Sequence, residues 1–318
     1  MSTRENRKGP RKRGYWPSPI DIARQIPNPR GGSVCFELGA TGSIHAGSLR
    51  ALYFAEQVQR TAAMVGRDLR FILRLNDLAP VKCAIGGNPT YSDLGLRIAA
   101  DIRGDDGLTI LEKLREELQT IYERTGWKPP ELMLVSDIYR SDRFVRSLKL
   151  ALFESDKISE VLSEFKRSPV SFYSPICPHC RRIRSSQPIK RDFEETTWDC
   201  RACDTTYIFS PSSSLGLVTF KLEQALVWQF CSTVVDVHGQ DHIEAFDASC
   251  ALVRALELEF LPLAGRVNLV TNPHGEKLSK SRNNFRPVAN LPEGAFQALI
   301  SRYEETPYWR PMISYEDG

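Results

Sequence analysis

Apolar and polar positions follow two rhythms along this chain, and the switches between them mark out its elements. Residues 33–38 form a short β-like run that ends in a turn at 39–42. From about 45 to 64 the spacing becomes helical, and 68–75 (DLRFILRL) predicts the next strand. A strand, a Gly-containing turn, a helix and a strand make a β-α-β unit, the start of a doubly wound parallel sheet. Residues 76–106 are loop-rich, 108–124 have helical periodicity, 131–135 predict a strand, and 139–165 a long helix or helix pair. Residues 169–215 are rich in Ser, Thr, Pro and Cys with little periodicity, and predict an inserted knuckle. Beyond it come a helix at 222–230, a strand at 234–237, a helix opened at 239–242 and running to 257, a strand at 267–270 and a last helix at 292–303.

The predicted division is therefore an arm (1–30), the first half of an α/β domain with a connecting insertion (31–168), the knuckle (169–215), the second half of the domain (216–290) and a C-terminal helix and tail (291–318). Charge changes this picture at one end only. The formal net charge is +3, yet Arg4, Arg7, Lys8, Arg11, Lys12 and Arg13 face only Glu5 in the first fifteen residues, so the remainder is slightly acidic. That basic stretch is too polar to fold alone. It reads either as an arm that touches RNA phosphates or as a solubilising tail. The body is not a strongly basic surface, and no DNA partner is expected. No apolar h-region opens the chain and no run of roughly 18 apolar residues crosses it, so neither a secretory signal nor a membrane span is expected.

The eight cysteines sharpen the compartment and add a metal. Cys177, Cys180, Cys200 and Cys203 form CxxC-x19-CxxC, and the other four are scattered in apolar surroundings. This is a cytoplasmic pattern of one metal site plus buried thiols, not a disulfide framework. Four thiolates at this spacing suit one tetrahedral Zn2+ with no open position, hence a structural zinc.

Three further strings carry chemistry. Thr41-Gly42-Ser43-Ile44-His45-Ala46-Gly47-Ser48 lies at a strand-to-helix junction, where free N–H groups and the helix dipole suit phosphate. Gly42 and Gly47 allow close approach of the nucleotide, and His45 can donate to a phosphoryl oxygen as charge moves onto a leaving group. Alone, the string also fits a capped surface helix with an incidental histidine. Lys277-Leu278-Ser279-Lys280-Ser281 places two lysines in a loop after a strand, a phosphate clamp or, read by itself, a solvated basic loop. Gly239-Gln240-Asp241-His242 sits at a strand end before a helix, where ligands bind in open α/β sheets. Asp241 suits a ribose and His242 an amino-acid pocket, although an N-cap beside a core histidine has the same letters.

The first and second strings resemble the HIGH and KMSKS signatures of class I aminoacyl-tRNA synthetases, in the expected order and with a cysteine knuckle between them. The chain is similar in particular to class I lysyl-tRNA synthetases from about residue 33 to 311. Tyr139-Arg140-Ser141-Asp142-Arg143-Phe144 and Ala151-Leu152-Phe153-Glu154-Ser155-Asp156-Lys157-Ile158 are similar to that family's YRSG(R/x)F and ALENRDKI stretches. Tyr173-Ser174-Pro175-Ile176-Cys177 resembles its knuckle entry, Phe220-Lys221-Leu222-Glu223-Gln224 its WRVDW-like segment, and Gly239-Gln240-Asp241-His242 its GKDH.

The resemblance implies a Rossmann-type catalytic domain, ATP with Mg2+, lysine as the amino acid, lysyl-adenylate as intermediate and the terminal adenosine of tRNA as acceptor. It places Thr41, Gly42, His45, Gly47, Asp241, Lys277, Ser279 and Lys280 on ATP, with His45, Ser48, Lys277 and Lys280 as the catalytic set. Glu37, Asp77, Gly239 and His242 fall at the amino acid. Three departures bear on this. Ser48 replaces the usual His or Asn at the end of HIGH. The WDDxD-like acidic stretch reads Leu75-Asn76-Asp77-Leu78-Ala79, so the partner of a substrate ammonium is open among Glu37, Asp77, Asp241 and Glu244. Family members continue into a helical anticodon-binding domain, whereas this chain stops at Gly318, so anticodon discrimination is expected to be poor and any tRNA to be read through its acceptor end. The alternative expectations are transfer to a carrier protein or small molecule, and a non-catalytic paralogue.

Overall fold

A computed structural model of the chain describes residues 16–27, 32–80, 98, 101, 108–165, 172–183, 186–191, 196–210, 216–278 and 284–313. The first element is α1 (Pro19–Gln25), started by a reciprocal cap between Ser18 and Asp21 with Pro19 in its first turn. Ile22, Ala23 and Ile26 are fully buried. The expected arm over 1–30 is corrected here, because three apolar side chains at helical spacing fasten this stretch to the core. Residues 1–15, with the basic run, lie outside the described residues.

Next come β1 (Ser33–Gly39), α2 (Ala46–Met64) and β2 (Arg70–Asn76), the β-α-β unit that the spacing predicts. α3 (Ile110–Thr125) opens on a Thr109–Glu112 capping box, and β3 (Glu131–Leu134) follows. The long helix or pair expected at 139–165 is three helices: α4 (Val135–Arg140), α5 (Asp142–Phe153) and α6 (Ser155–Ser163). Ser141 makes the first break. Its backbone is extended, and its hydroxyl accepts from the Phe144 N–H to start α5.

The knuckle has more structure than its composition suggests. β4 (Tyr173–Pro175) pairs with β8 (Gly216–Val218), and between them β5 (Ser186–Arg191), β6 (Thr196–Cys200) and β7 (Thr205–Phe209) form a three-stranded antiparallel sheet. Trp198, Cys200, Tyr207 and Phe209 point inward at period two. The chain then runs through α7 (Phe220–Cys231), β9 (Thr233–Gly239), α8 (Ile243–Ala255), β10 (Leu263–Val267), β11 (Val270–Thr271), α9 (Glu293–Glu305) and β12 (Met312–Ile313). The strand expected at 267–270 lies earlier, at β10. Asn268 ends it by turning its N–H to the Tyr308 carbonyl, and β11 leaves to pair with β12. Gly265 hid β10 from the apolar pattern. It lies against Val237 and Phe54, where a Cβ would sit 2.8 Å from a Val237 methyl.

Five parallel strands form the central sheet in the order β10-β9-β1-β2-β3. One face packs on α1, α2, α3 and α9, the other on α4 to α8 and the knuckle. This is a doubly wound α/β sheet with a cysteine-knuckle insertion. The strand order reverses between β1 and β9, so the crevice at their C-terminal ends is the switch point at which such sheets take ligands. The turn after β1 leads to His45, and the turn after β9 leads to Asp241. Among the described residues, no helix is long and apolar enough to cross a membrane.

Candidate active site and cysteine knuckle

The turn after β1 is pinned before it reaches the helix. The Ile44 N–H donates to Glu117 Oε2 of α3 at 2.7 Å, and the Ile44 carbonyl accepts from the Val288 N–H. His45 is the N-cap of α2, its Nδ1 accepting from the Ser48 N–H at 3.2 Å. The Ser48 hydroxyl lies 3.4 Å from Nε2 of the same ring, and Phe285 meets that ring edge-on. The imidazole therefore folds back over the first turn. Gly47 makes this possible, because a Cβ there would come within 3.0 Å of the ring.

The second and third strings meet each other. Lys277 Nζ stands 2.6 Å from Asp241 Oδ2, and His242 Nε2 lies 3.6 Å from the same oxygen. All three side chains are half-exposed at the crevice. Partial burial works against the Asp241 charge, but the Lys277 hydrogen bond and His242 outweigh it and hold the carboxyl below its usual range. Gly239 leaves room for this carboxylate, since a Cβ would lie 2.7 Å from Oδ1. Lys277 is steadied from behind. Leu278 is buried with its N–H on the Val270 carbonyl, and Asn284 donates to the Lys277 carbonyl. A Cβ added at Gly47 would lie 3.9 Å from Val270 Cβ, so the residue whose carbonyl holds Leu278 stands beside the first turn of α2. Ser279, Lys280 and Ser281 lie outside the described residues.

The four predicted amino-acid residues separate. Gly239 and His242 belong to the Asp241 turn. Asp77 is buried, and its Oδ1 accepts from the Ser136 N–H at 3.0 Å, fixing the first turn of α4. Glu37 opens onto a polar cluster that sequence reasoning missed. Its Oε1 accepts from Asn76 Nδ2 at 3.1 Å, and its Oε2 stands 3.1 Å from Arg74, whose side chain is 1% exposed. Asp236 lies 3.7 Å from the same guanidinium and accepts from Trp228 Nε1 at 2.9 Å and Gln224 Nε2 at 3.1 Å. Burial opposes the charge on Arg74, yet Glu37 and Asp236 hold its pKa above the ordinary value. His238 is buried beside Asp236 and stacks on Phe246. Glu223 of α7 is 2% exposed, and burial together with Glu37 pushes its carboxyl up to about 8. A signal was available: Arg74, Asp236 and His238 interrupt strands that are otherwise apolar, at positions that period two assigns to one face.

Away from the crevice, Cys177, Cys180, Cys200 and Cys203 bring their sulfurs within 4.8 Å of one another. Cys177 and Cys203 are 3.6 Å apart, and Cys180 and Cys200 are 3.7 Å apart. A tetrahedron with Zn–S of about 2.3 Å has edges of about 3.8 Å, so this set fits the ion. Arg181 and Asp204, the residues after each CxxC, both take positive φ, which turns the backbone around the centre.

The class that the fold defines is a doubly wound α/β domain with a four-cysteine insertion. Over residues 110–301, more than half of its length, the chain matches the family described as tRNA synthetases class I (K), and it belongs to that family. It is similar to a lysine–tRNA ligase 1 of Methanosarcina acetivorans, 24% identical over 228 residues that cover 68% of this chain and 42% of the relative. A lysine–tRNA ligase of Picrophilus torridus is 21% identical over 64% of this chain and 42% of its own length. For one from Archaeoglobus fulgidus the figures are 23%, 69% and 46%. The chain thus spans less than half the length of these relatives. A solved tyrosyl-tRNA synthetase of A. fulgidus, complexed with L-tyrosine, superposes with a TM-score of 0.45 at 14% identity, covering 88% of this chain and 67% of that one.

Proposed function

We propose that this chain activates an amino acid with ATP as an aminoacyl-adenylate, takes lysine as that amino acid, and passes the acyl group to the terminal adenosine of tRNA. A carboxylate oxygen of the amino acid attacks the α-phosphorus of ATP and the bond to pyrophosphate breaks. The 2′-hydroxyl of the acceptor then attacks the carbonyl carbon and AMP leaves.

One observation carries this reading: the Asp241–Lys277 contact at the switch point, where the second and third strings meet. Thr41, Gly42 and Gly47 shape the phosphate side of the crevice. Asp241 exchanges Lys277 for the ribose hydroxyls, which frees the ammonium for the phosphates beside Ser279 and Lys280. His45 and Ser48, held on each other in this structure, donate to the phosphoryl oxygens as charge develops. Lys277 and Lys280 would share the phosphate charge with Mg2+ carried by the nucleotide, which would supply further neutralisation when bound. Glu37, Gly239 and His242 face the amino acid, and Asp77 acts one step back by fixing α4. The four cysteines hold a structural Zn2+. The reading places the protein in the cytoplasm, with the names of its relatives supporting lysine and tRNA as substrates.

The test is pyrophosphate exchange into ATP across all proteinogenic amino acids, with and without total tRNA. Lysine-dependent exchange is expected. Exchange with a different amino acid would retain the chemistry and remove lysine. No exchange under any condition would remove the adenylation reading.

A further inference from the structure

The polar cluster beneath the crevice contains an imbalance. Glu37, Asp236 and Glu223 supply three carboxyl groups around one guanidinium, Arg74. Asp236 is fully engaged by Trp228 and Gln224. Two other acceptors, Glu223 Oε1 and Asn76 Oδ1, are buried with no hydrogen-bond donor, whereas Glu37 Oε2 is met by Arg74 as an ion pair at 3.1 Å and Arg74 Nε is an orphaned donor of the same cluster. Such groups are costly to leave unmet, so their grouping has to be explained. They are not scattered: Asn76 bonds Glu37, Glu37 contacts Arg74, and Glu223 interacts with both Glu37 and Arg74. Glu37, at 16% side-chain exposure, is more open than Arg74 or Asp236 and lies two residues before Gly39. An alkylammonium has three donors and no acceptor, which complements two unmet acceptors and a surplus of carboxyl groups.

We propose that Glu223 sets the amino-acid site's preference for an amine-bearing side chain, holding a proton while the site is empty and releasing it to solvent as the amine arrives. This rests on the adenylation reading and adds to it the residue that selects and the proton that accompanies selection. The charged and titratable groups around Glu223 are Glu37 from β1, Arg74 from β2, Tyr139 from α4 and Tyr173 from β4. Asp236 and His238 from β9 stand beyond Arg74, and on α7 itself Lys221 turns away to Glu244 and the Phe165 ring. Among the described residues, Arg74 is the cation that acts on Glu223, and Glu37 and Asp236 already hold it. A second negative charge therefore has no counter-ion until the ligand brings one. Burial raises the Glu223 carboxyl to about 8, consistent with a proton retained at neutral pH.

The experiment is calorimetric titration of the full chain with L-lysine and with its neutral isostere L-norleucine, from pH 6 to 8.5, in two buffers of different ionisation enthalpy. Wild type is expected to bind lysine over norleucine and to release up to one proton. Its lysine affinity should approach a tenfold gain per pH unit below about 8. Glu223→Gln, which matches the protonated carboxyl in shape, should lose roughly 30-fold or more in lysine affinity, lose the preference over norleucine, and keep its fold and its ATP affinity. Glu223→Asp should restore part of the preference and the proton release. Lysine binding with no proton release and no change in Glu223→Gln would overturn the assignment while leaving the adenylation reading intact. No lysine binding by wild type would also overturn it, and ATP titrated into the same sample would show whether the nucleotide site falls with it.

Discussion

The central sheet presents two unlike faces. Toward α2 it offers Val34, Phe36, Leu38, Phe71, Leu73, Leu75, Val235, Val237 and Val267, all of them apolar and buried. Toward α7 and α8 the alternate positions of the same strands carry Cys35, Glu37, Arg74, Asn76, Asp236 and His238. Period two makes this division unavoidable, since neighbouring residues of a strand face opposite ways. The apolar face is held by area removed from water. The polar face adds a charge network that must remain complete, because a buried ion left unpaired costs more than the pair ever contributes. The polar face is therefore also the face with more ways to fail.

Metal removal should separate the two faces most clearly. Cys177, Cys200, Trp198, Tyr207 and Phe209 belong to the same buried cluster as Leu222, Trp228 and Phe246, which cover the polar face. Structural zinc is worth on the order of 10–16 kcal/mol in small zinc domains. Metal analysis should find about one zinc per chain. Chelation should abolish amide protection in β4 to β8 and lower it in α7, while α2 retains its protection in hydrogen exchange. A protein without zinc that keeps protection throughout would dismiss both the metal and the dependence of that face on it.

Within the sheet, Arg74→Met tests the network itself. It leaves Asp236 with its Trp228 and Gln224 donors but strips Glu37 of its cation, and should destabilise by about 3–5 kcal/mol in urea unfolding. Leu73→Ala, one residue away on the opposite face, should cost about 2–5 kcal/mol through its cavity. The two separate under salt: the Leu73 loss should be insensitive to it, whereas equal salt responses would mean the Arg74 pair is worth no more than its packing. Lys277→Ala removes a half-exposed ammonium at the crevice. It should leave stability within about 0.5 kcal/mol and cut the exchange rate by roughly 100- to 1,000-fold. A variant with full exchange activity would take Lys277 out of the mechanism.

The two faces were not equally legible. The doubly wound sheet could be read because apolar runs, a turn with Gly39 and Gly42 and an amphipathic α2 all indicate the same unit. The four-cysteine cluster could be read because CxxC spacing is a geometric constraint. The places of His45 and Asp241 at strand-to-helix turns could be read because helix starts and strand ends are local. The charge network could not be read the same way, since Glu37, Arg74, Glu223 and Asp236 come from four elements far apart in sequence and acquire meaning only when β1, β2, β9 and α7 meet. Asp77 shows the converse: an acid in the right motif spends its carboxylate on the Ser136 N–H, a partner that no local pattern reveals. Strand β10 was misplaced because its inward residue is a glycine, which period-two reading scores as a gap.

Glu223 also gives the polar face a pH dependence that the apolar face lacks. Its folded carboxyl is raised from 4.5 to about 8, so the stabilising state is the protonated one. That contribution is complete below the unfolded value and is lost as pH rises through the folded one. Between roughly pH 5 and 8, wild type should therefore lose up to about 1.4 kcal/mol per pH unit from this group. Glu223→Gln should flatten that slope and be the more stable protein at pH 8. A slope identical in wild type and variant would mean that Glu223 is already ionised in the empty protein.

The smallest effect belongs to the sheet edge, where a charge pair resembles the buried one in letters only. Arg70 and Glu131 join β2 to β3 at 3.2 Å, yet their side chains are 49% and 43% exposed. Water screens both charges, so a double-mutant cycle with Arg70→Ala and Glu131→Ala should return a coupling of about 0.2–1 kcal/mol. The Arg74–Glu37 contact is as short, at 3.1 Å, with the arginine 1% exposed. If distance determined the energy, the two cycles would agree. If burial and completeness of the network determine it, the Arg74 cycle should exceed the Arg70 cycle severalfold, and added salt should erase the edge coupling first.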